Sequence, residues 1–380
     1  MWDRLPVFVF ATVLAAQELP LGQVIESVTC QQDSSQTYAL YVPSNYTADR
    51  AWPLLVTFDP RARGLNGVER FQKAAETFGY IVAGSNNSRN GSWETSQKAI
   101  VAMFADLPAR FHIDEKRLYT GGMSGGARVA TSVALGSGKI AGVIAASAGF
   151  PDGRPRRNAP FVIFGTAGDE DFNYVEMRDL DKTLSTPHHV SIFKGGHVWL
   201  SSGLAFDALE FMELQAMKSG LRAKDEGDIK RAFDRQMTAL AAAEGKDALV
   251  LASSIVKDFA GLADTAKAAA RAEELQSSKP VKEALRKERE DAERERSLLR
   301  EIYESEGTLK EPDRRQTGLM QLRETLSKLA KQANGEQDSA ERRLARRVTR
   351  GVAMSLRERK DPDVEKMINE LGLAPRFPRQ

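Results

Sequence analysis

The chain reads as an α/β fold followed by an all-helical region, and three observations predict it. From about residue 22 to 217, short β-branched runs alternate with helix-length segments. That alternation implies a mostly parallel sheet with helices on both faces. Strand signals then stop near "MKSGLRAKDEGD", residues 217–228, and Ala, Leu, Lys, Arg and Glu dominate beyond it. Finally, a glycine-rich turn, Gly122-Met123-Ser124-Gly125-Gly126, stands between a short apolar run and a helical segment.

Strands are expected at 24–29, 38–42, 54–58, 80–83, 118–120, 140–145, 161–164 and 190–193. Helices are expected at 67–78, 95–110, 125–135, 175–185 and 203–217. No helix separates the first two strands, so they should form an antiparallel edge. These elements make an α/β domain over 22–218. The helical region, 226–380, predicts helices at 228–244, 247–259, 262–277, 280–304, 316–333, 338–357 and 361–371. Gly245, Gly261, Pro280, Gly307, Pro312 and Asn334-Gly335 punctuate them. Small-residue packing between about 241 and 275 has a tetratricopeptide-like spacing, without a regular repeat. The charge-dense stretches "RKEREDAERERS" and "ERRLARRVTRG" read as solvated helix faces.

Bulk properties narrow the field. In 380 residues the net charge is +2, too small to imply nucleic acid or an acidic partner. One cysteine, Cys30, allows neither an intrachain disulfide nor a multi-cysteine metal site. At the amino terminus Arg4 precedes an apolar run, 5–16, that ends in the small pair Ala15-Ala16. Residues 1–16 therefore read as a signal peptide, and the mature protein as secreted or periplasmic. A buried first strand is the alternative, kept open by Asp3. No other segment is apolar and long enough for stable membrane insertion.

The turn "LYTGGMSGGARVA", residues 118–130, carries the chemistry. G-x-S-x-G is weak evidence alone, but here it has the strand–turn–helix setting in which a serine becomes a nucleophile. Gly125 opens the following helix, so its N–H faces any negative charge developing beside Ser124. A serine needs a base, and there are four histidines: His112, His188, His189 and His197. Only His197 follows a parallel strand, at the edge where catalytic groups of open α/β sheets converge. The other three precede strands and belong at the opposite edge. An acid to orient the imidazole should follow another strand, and "FVIFGTAGDEDFNY" supplies Asp169, Glu170 and Asp171. Position selects this loop without choosing among the three.

With the order serine, acid, histidine, these residues resemble the α/β-hydrolase superfamily, in the branch of dienelactone hydrolases, feruloyl esterases and polyhydroxyalkanoate depolymerases. The matching pieces are "YALYVPSNY", "PLLVTFDPRARG", "GYIVAGSNNSRNG", "RLYTGGMSGGARVA", "IAGVIAASAGF", "GDEDFNY" and "GGHVW", spread over about residues 24–215. The resemblance implies a Ser124–His197–Asp171 triad, because the family's acid precedes an aromatic or apolar residue and then a Tyr, as in "DFNY". It also implies an oxyanion hole from the Gly125 N–H and a backbone donor after the third strand. There this chain departs from the family's usual His-Gly. Its Asp59-Pro60-Arg61 includes a proline without an N–H, leaving Arg61, or its neighbour Ala62, as the expected donor. The polar loop "SNNSRNGSW" should reach the same rim, with Asn86, Asn87, Arg89 and Trp93 as substrate contacts, or else be a turn built by Asn and Gly.

The reading that follows is a secreted serine hydrolase cleaving carboxylic esters, with no cofactor or metal. Short intervals between Ser124, Asp171 and His197 leave no room for a lid, which suits small or oligomeric esters. The alternatives are a serine peptidase on the same fold and an interaction protein that meets a protein partner through its C-terminal helices.

Overall fold

The structure, a computed structural model, describes residues 19–373. The expected signal peptide lies outside the described residues. The sheet is built from β1 (Val24–Thr29), β2 (Thr37–Tyr41), β3 (Trp52–Phe58), β4 (Ile81–Ser85), β5 (Ile113–Met123), β6 (Ile140–Ala146), β7 (Val162–Gly168) and β8 (His188–Phe193). Its eight strands run in the order β1-β2-β4-β3-β5-β6-β7-β8. β1 and β2 pair antiparallel, β2 meets β4 antiparallel, and all remaining pairs are parallel.

Helices α1 (Gly64–Phe78), α2 (Trp93–Arg110), α3 (Gly125–Ser137), α4 (Tyr174–Thr183) and α5 (Ser202–Lys218) cover the two faces. One core packs α2, α3 and α4 against the sheet through Met103, Leu107, Ala127, Ala130, Met177 and Leu180. The other packs α1 and α5 through Val68, Phe71, Ala208, Leu209 and Met212. β3 lies between them and is buried along its whole length, which is why it reads as a continuous apolar run. β5 starts five residues before its apolar signal, at Ile113. Its early part, Asp114 to Arg117, is polar and half-exposed or exposed beside a register irregularity opposite Trp52 and Leu54.

Beyond the sheet come α6 (Glu226–Ala242), α7 (Gly245–Asp258), α8 (Ala266–Ser277), α9 (Lys279–Thr308), α10 (Arg315–Ala333), α11 (Ala340–Glu358) and α12 (Pro362–Glu370). α6 to α8 share a core with Leu214 and Met217 at the end of α5. α9 to α12 form another around Leu322, Leu326, Val348 and Leu356. α9, about 45 Å long at 1.5 Å per residue, joins the two cores, with Val281 in the first and Ile302 in the second.

The two charge-dense segments divide: "RKEREDAERERS" in α9 is exposed or half-exposed as expected at every position but Glu295, whereas "ERRLARRVTRG" in α11 is half-buried or buried beyond Glu341 and corrects the expectation of a solvated face. Within α9 Glu295 is 2% exposed, and within α11 Arg347 is 7% exposed. They bury each other, with Arg347 Nε 3.0 and 3.1 Å from the two carboxylate oxygens. A charge can leave water when an opposite charge and hydrogen bonds replace its hydration, and composition alone does not reveal the pairing.

Candidate active site

β5 ends at Met123 and α3 begins at Gly125, so Ser124 is the whole turn between them. Its backbone has φ 53° and ψ −121°, a left-handed conformation uncommon for a residue with a Cβ. Such strain persists only where the surroundings enforce it. Here the Ser124 N–H donates to Ala146 O at 2.8 Å, and Ser124 O accepts the Arg128 N–H at 3.1 Å, opening the helix. Gly122 packs directly on the Gly126 backbone, so a Cβ at 122 would force the turn apart.

His197 follows β8 and meets the loop after β7. Its Nδ1 lies 2.8 Å from Asp171 Oδ1, and Asp171 is completely buried. Because an ionised carboxylate only accepts, the bonded nitrogen carries the proton and Nε2 is left as the basic nitrogen. Asp171 Oδ1 also accepts the Asn173 N–H at 2.8 Å, while Oδ2 has no partner among the described residues. The Phe172 ring stacks on the imidazole with centroids 4.0 Å apart.

The other two acids of the loop are not loose at its tip. Asp169 Oδ1 accepts the Gly195 N–H at 3.0 Å, and the Glu170 N–H donates to Gly195 O at 2.8 Å, tying the acid loop to the histidine loop. The Glu170 carboxylate pairs with Arg346 at 2.7 Å, with Arg350 and Arg342 further out. Those arginines belong to α11. From the same helix Arg347 donates to Asp169 O at 2.6 Å, and Gly351 packs on Phe172. None of this support was legible in "ERRLARRVTRG", because a helix face does not announce what it packs against.

Across the serine, Asp59 at the end of β3 is a buried hub. Its Oδ1 accepts the Arg61 N–H at 2.8 Å and Arg63 Nε at 3.1 Å; its Oδ2 accepts Arg63 Nη2 at 3.1 Å and the Trp199 indole at 2.7 Å. One carboxylate therefore links the β3 loop to the histidine loop. The Ala62 N–H donates to Asp59 O at 3.2 Å. Arg61, expected as an oxyanion donor, has thus committed its N–H, and so has Ala62.

The "SNNSRNGSW" loop also departs from expectation. Asn86 donates its amide to Glu26 O at 3.0 Å, and Asn87 bonds Thr37 N at 2.8 Å and Ser35 O at 3.1 Å. These side chains hold edge strands, the structural work Asn does in turns, and are corrected from substrate contacts. Arg89 is exposed and bridges Arg61. Trp93 is the first residue of α2 and 49% exposed, because Ser92 caps that helix earlier than its apolar pattern indicates. Asp59, Phe172 and Trp199 were missed. Asp59 had one available signal, an acid directly after a fully apolar strand.

His188 and His189 begin β8, at the end of that strand away from His197, and His112 precedes β5. Among the described residues no group of three or more His, Cys, Asp or Glu side chains could hold a metal. Nor does any described helix have the length and apolarity to cross a membrane. A cavity of about 620 Å³ lies behind the acid loop, between α4, α9 and α11. Basic and acidic groups both line it, and neither Ser124 nor His197 does.

The strand order, the strained serine between β5 and α3, and an acid and a histidine after β7 and β8 settle the architecture. The fold is an α/β-hydrolase fold. No family model and no curated protein matches the chain. Solved structures similar to it include a thermostable esterase, with 16% identity, TM-score 0.37, and 50% of this chain and 62% of that one covered. The chain thus spans less than two thirds of that esterase. A ferulic acid esterase is 15% identical, with TM-score 0.38 and coverage of 50% and 97%. A hyperthermophilic esterase from Pyrobaculum calidifontis is 10% identical, with TM-score 0.40 and coverage of 52% and 87%.

Proposed function

We propose that the chain is a serine hydrolase that cleaves carboxylic esters, with Ser124 as nucleophile, His197 as base and Asp171 as the acid that orients it. The observation that carries this reading is the 2.8 Å bond between His197 Nδ1 and buried Asp171, on loops that converge at the sheet edge where Ser124 makes its strained turn. A capping serine gives no reason for such a backbone.

His197 Nε2 takes the Ser124 proton as Oγ bonds to the ester carbonyl carbon, and the carbonyl electron pair moves onto oxygen. Asp171 stabilises the imidazolium without taking its proton. When the tetrahedral centre collapses, the bond to the alkoxy oxygen breaks and His197 returns the proton to that leaving group. Water, deprotonated by His197, then attacks the acyl carbon; as that tetrahedral centre collapses the bond to Ser124 Oγ breaks, His197 returns the proton to Oγ, and the carboxylic acid leaves. The Gly125 N–H holds the oxyanion in both halves.

The test is Ser124→Ala in purified protein, assayed with p-nitrophenyl esters and a fluorophosphonate probe. Both turnover and labelling should vanish; unchanged turnover would sink the reading. Short esters run beside peptide anilides separate esterase from peptidase. Export is proposed on the pattern of residues 1–16, and sequencing the amino terminus of protein from a periplasmic extract tests it.

A further inference from the structure

Acyl transfer needs hydrogen-bond donors aimed at the carbonyl oxygen as it gains charge, and a pair holds it better than one. Gly125 supplies the first, because the opening N–H of a helix has no carbonyl partner within it. The loop after β3 is where a second backbone donor was expected, and its nearest candidates are unavailable. Pro60 has no N–H, the Arg61 N–H goes to Asp59 Oδ1 at 2.8 Å, and the Ala62 N–H goes to Asp59 O at 3.2 Å.

A side chain occupies the space against the turn instead. The Asn90 carboxamide lies so close to Gly125 that a Cβ there would overlap Asn90 Oδ1 and come within 3.2 Å of Nδ2. This approach is built into the backbone. The Asn90 N–H donates to Pro60 O at 2.9 Å, and Arg89 bridges Arg61, so the loop after β4 is zipped onto the loop after β3. A side chain at position 125 would have to displace the carboxamide. An Asn amide has a donor and an acceptor end, and a half-turn about its Cβ–Cγ bond exchanges them. A developing oxyanion selects the donor end.

We propose that Asn90 is the second oxyanion donor, its Nδ2–H standing in for the backbone N–H that Pro60 and Asp59 take out of use. This rests on the serine-hydrolase reading above. As the Ser124 Oγ–carbon bond forms, the carbonyl oxygen receives the electron pair between the Gly125 N–H and Asn90 Nδ2. As the bond to the leaving group breaks, the pair returns to the carbonyl and the two contacts weaken.

The full chain carrying Asn90→Ala or Asn90→Asp should be assayed on an ester and on its thiono counterpart, whose sulfur accepts hydrogen bonds poorly. Asn90→Ala should lower kcat on the ester about 10²- to 10³-fold with KM little changed, while the thiono ester loses far less. Asn90→Asp keeps the side-chain shape and removes the donor, so it should be at least as slow even if alanine loosens the loop. Complete fluorophosphonate labelling of Ser124 verifies that each variant retains its folded turn. The proposal is overturned if Asn90→Ala keeps kcat within about threefold, or if both ester types fall together. It is separable from the broader reading: active Ser124→Ala defeats the serine mechanism, whereas inactive Ser124→Ala beside a fully active Asn90→Ala defeats Asn90 alone.

Discussion

On one side of Ser124, the loops that carry Asp171 and His197 rest against α11, a helix far along the chain. On the other side, the loops after β3 and β4 rest on each other and on Asp59. The side proposed to hold the base is thus positioned across an interface, by Arg346 and Arg347 on the acid loop and by Gly351 behind Phe172. The oxyanion side is positioned from within the sheet's own connections. Trp199 joins the two, since its indole reaches from the histidine loop to Asp59. The helical region thus packs directly on the loops proposed to carry the acid and the base.

The largest effect should come from the acid. Asp171→Asn keeps the shape but favours the wrong imidazole tautomer, so kcat should fall about 10⁴-fold. Glu170→Gln, which removes a contact to α11, should leave most of the activity. Steady-state kinetics on one ester decides between them. Comparable losses in the two variants would mean that the acid has been misplaced.

The next test breaks the base side from outside. Arg347→Met leaves Glu295 buried without a partner and should destabilise the fold by about 3–5 kcal/mol in urea unfolding. Combining it with Glu295→Met removes both charges and should recover much of that stability. The contact to Asp169 O is still missing in the double variant, so kcat should remain low while KM holds. Full recovery of kcat along with stability would reduce α11 to a scaffold.

Asp59 offers the matching break on the oxyanion side, with a smaller expected effect. Asp59→Asn can still accept the Arg61 N–H through its oxygen, but its amide then faces the Trp199 indole, donor against donor. A buried mismatch of this kind costs about 1–3 kcal/mol. Arg63, a third exposed in its side chain, can turn to solvent. Thermal unfolding should register the loss, and kcat should fall with it because the indole anchors the loop bearing His197.

The contrast also explains what was legible in the sequence. The strand segments, the antiparallel first pair, the serine turn and the histidine's edge follow from apolar periodicity and the direction of parallel strands, which are properties of local segments; the order of the strands in the sheet was not read from them. Asp171 emerged only through the "DFNY" resemblance, because three adjacent acids share one topological position. Arg61 was misjudged since a side-chain carboxylate two residues earlier captured its N–H, a contact that spacing cannot encode. The α11 contacts were invisible for a related reason. Arginines of one helix look alike in sequence, and only packing decides that Arg347 is buried on Glu295 while Arg350 stays 42% exposed.

The smallest predicted effect uses a histidine away from the site. His188 begins β8, its Nδ1 2.7 Å from Thr186 O and its Nε2 3.0 Å from Asp181 O, with the Asp181 carboxylate at 3.5 Å. Burial pulls its pKa down, but hydrogen bonds to Asp181 and Thr186 outweigh burial and hold it above the usual 6.5. A pKa raised by folding contributes stability that is full below the unfolded value and is lost as pH rises through the folded value. Urea unfolding from about pH 6 to pH 8 should therefore show a decline in wild type that His188→Gln flattens. The kcat profile over the same range should be unchanged by that substitution, because His188 and His197 flank opposite ends of β8. A shift in kcat would show that the two ends of this edge strand are coupled, and that the base side is braced along its length as well as by α11.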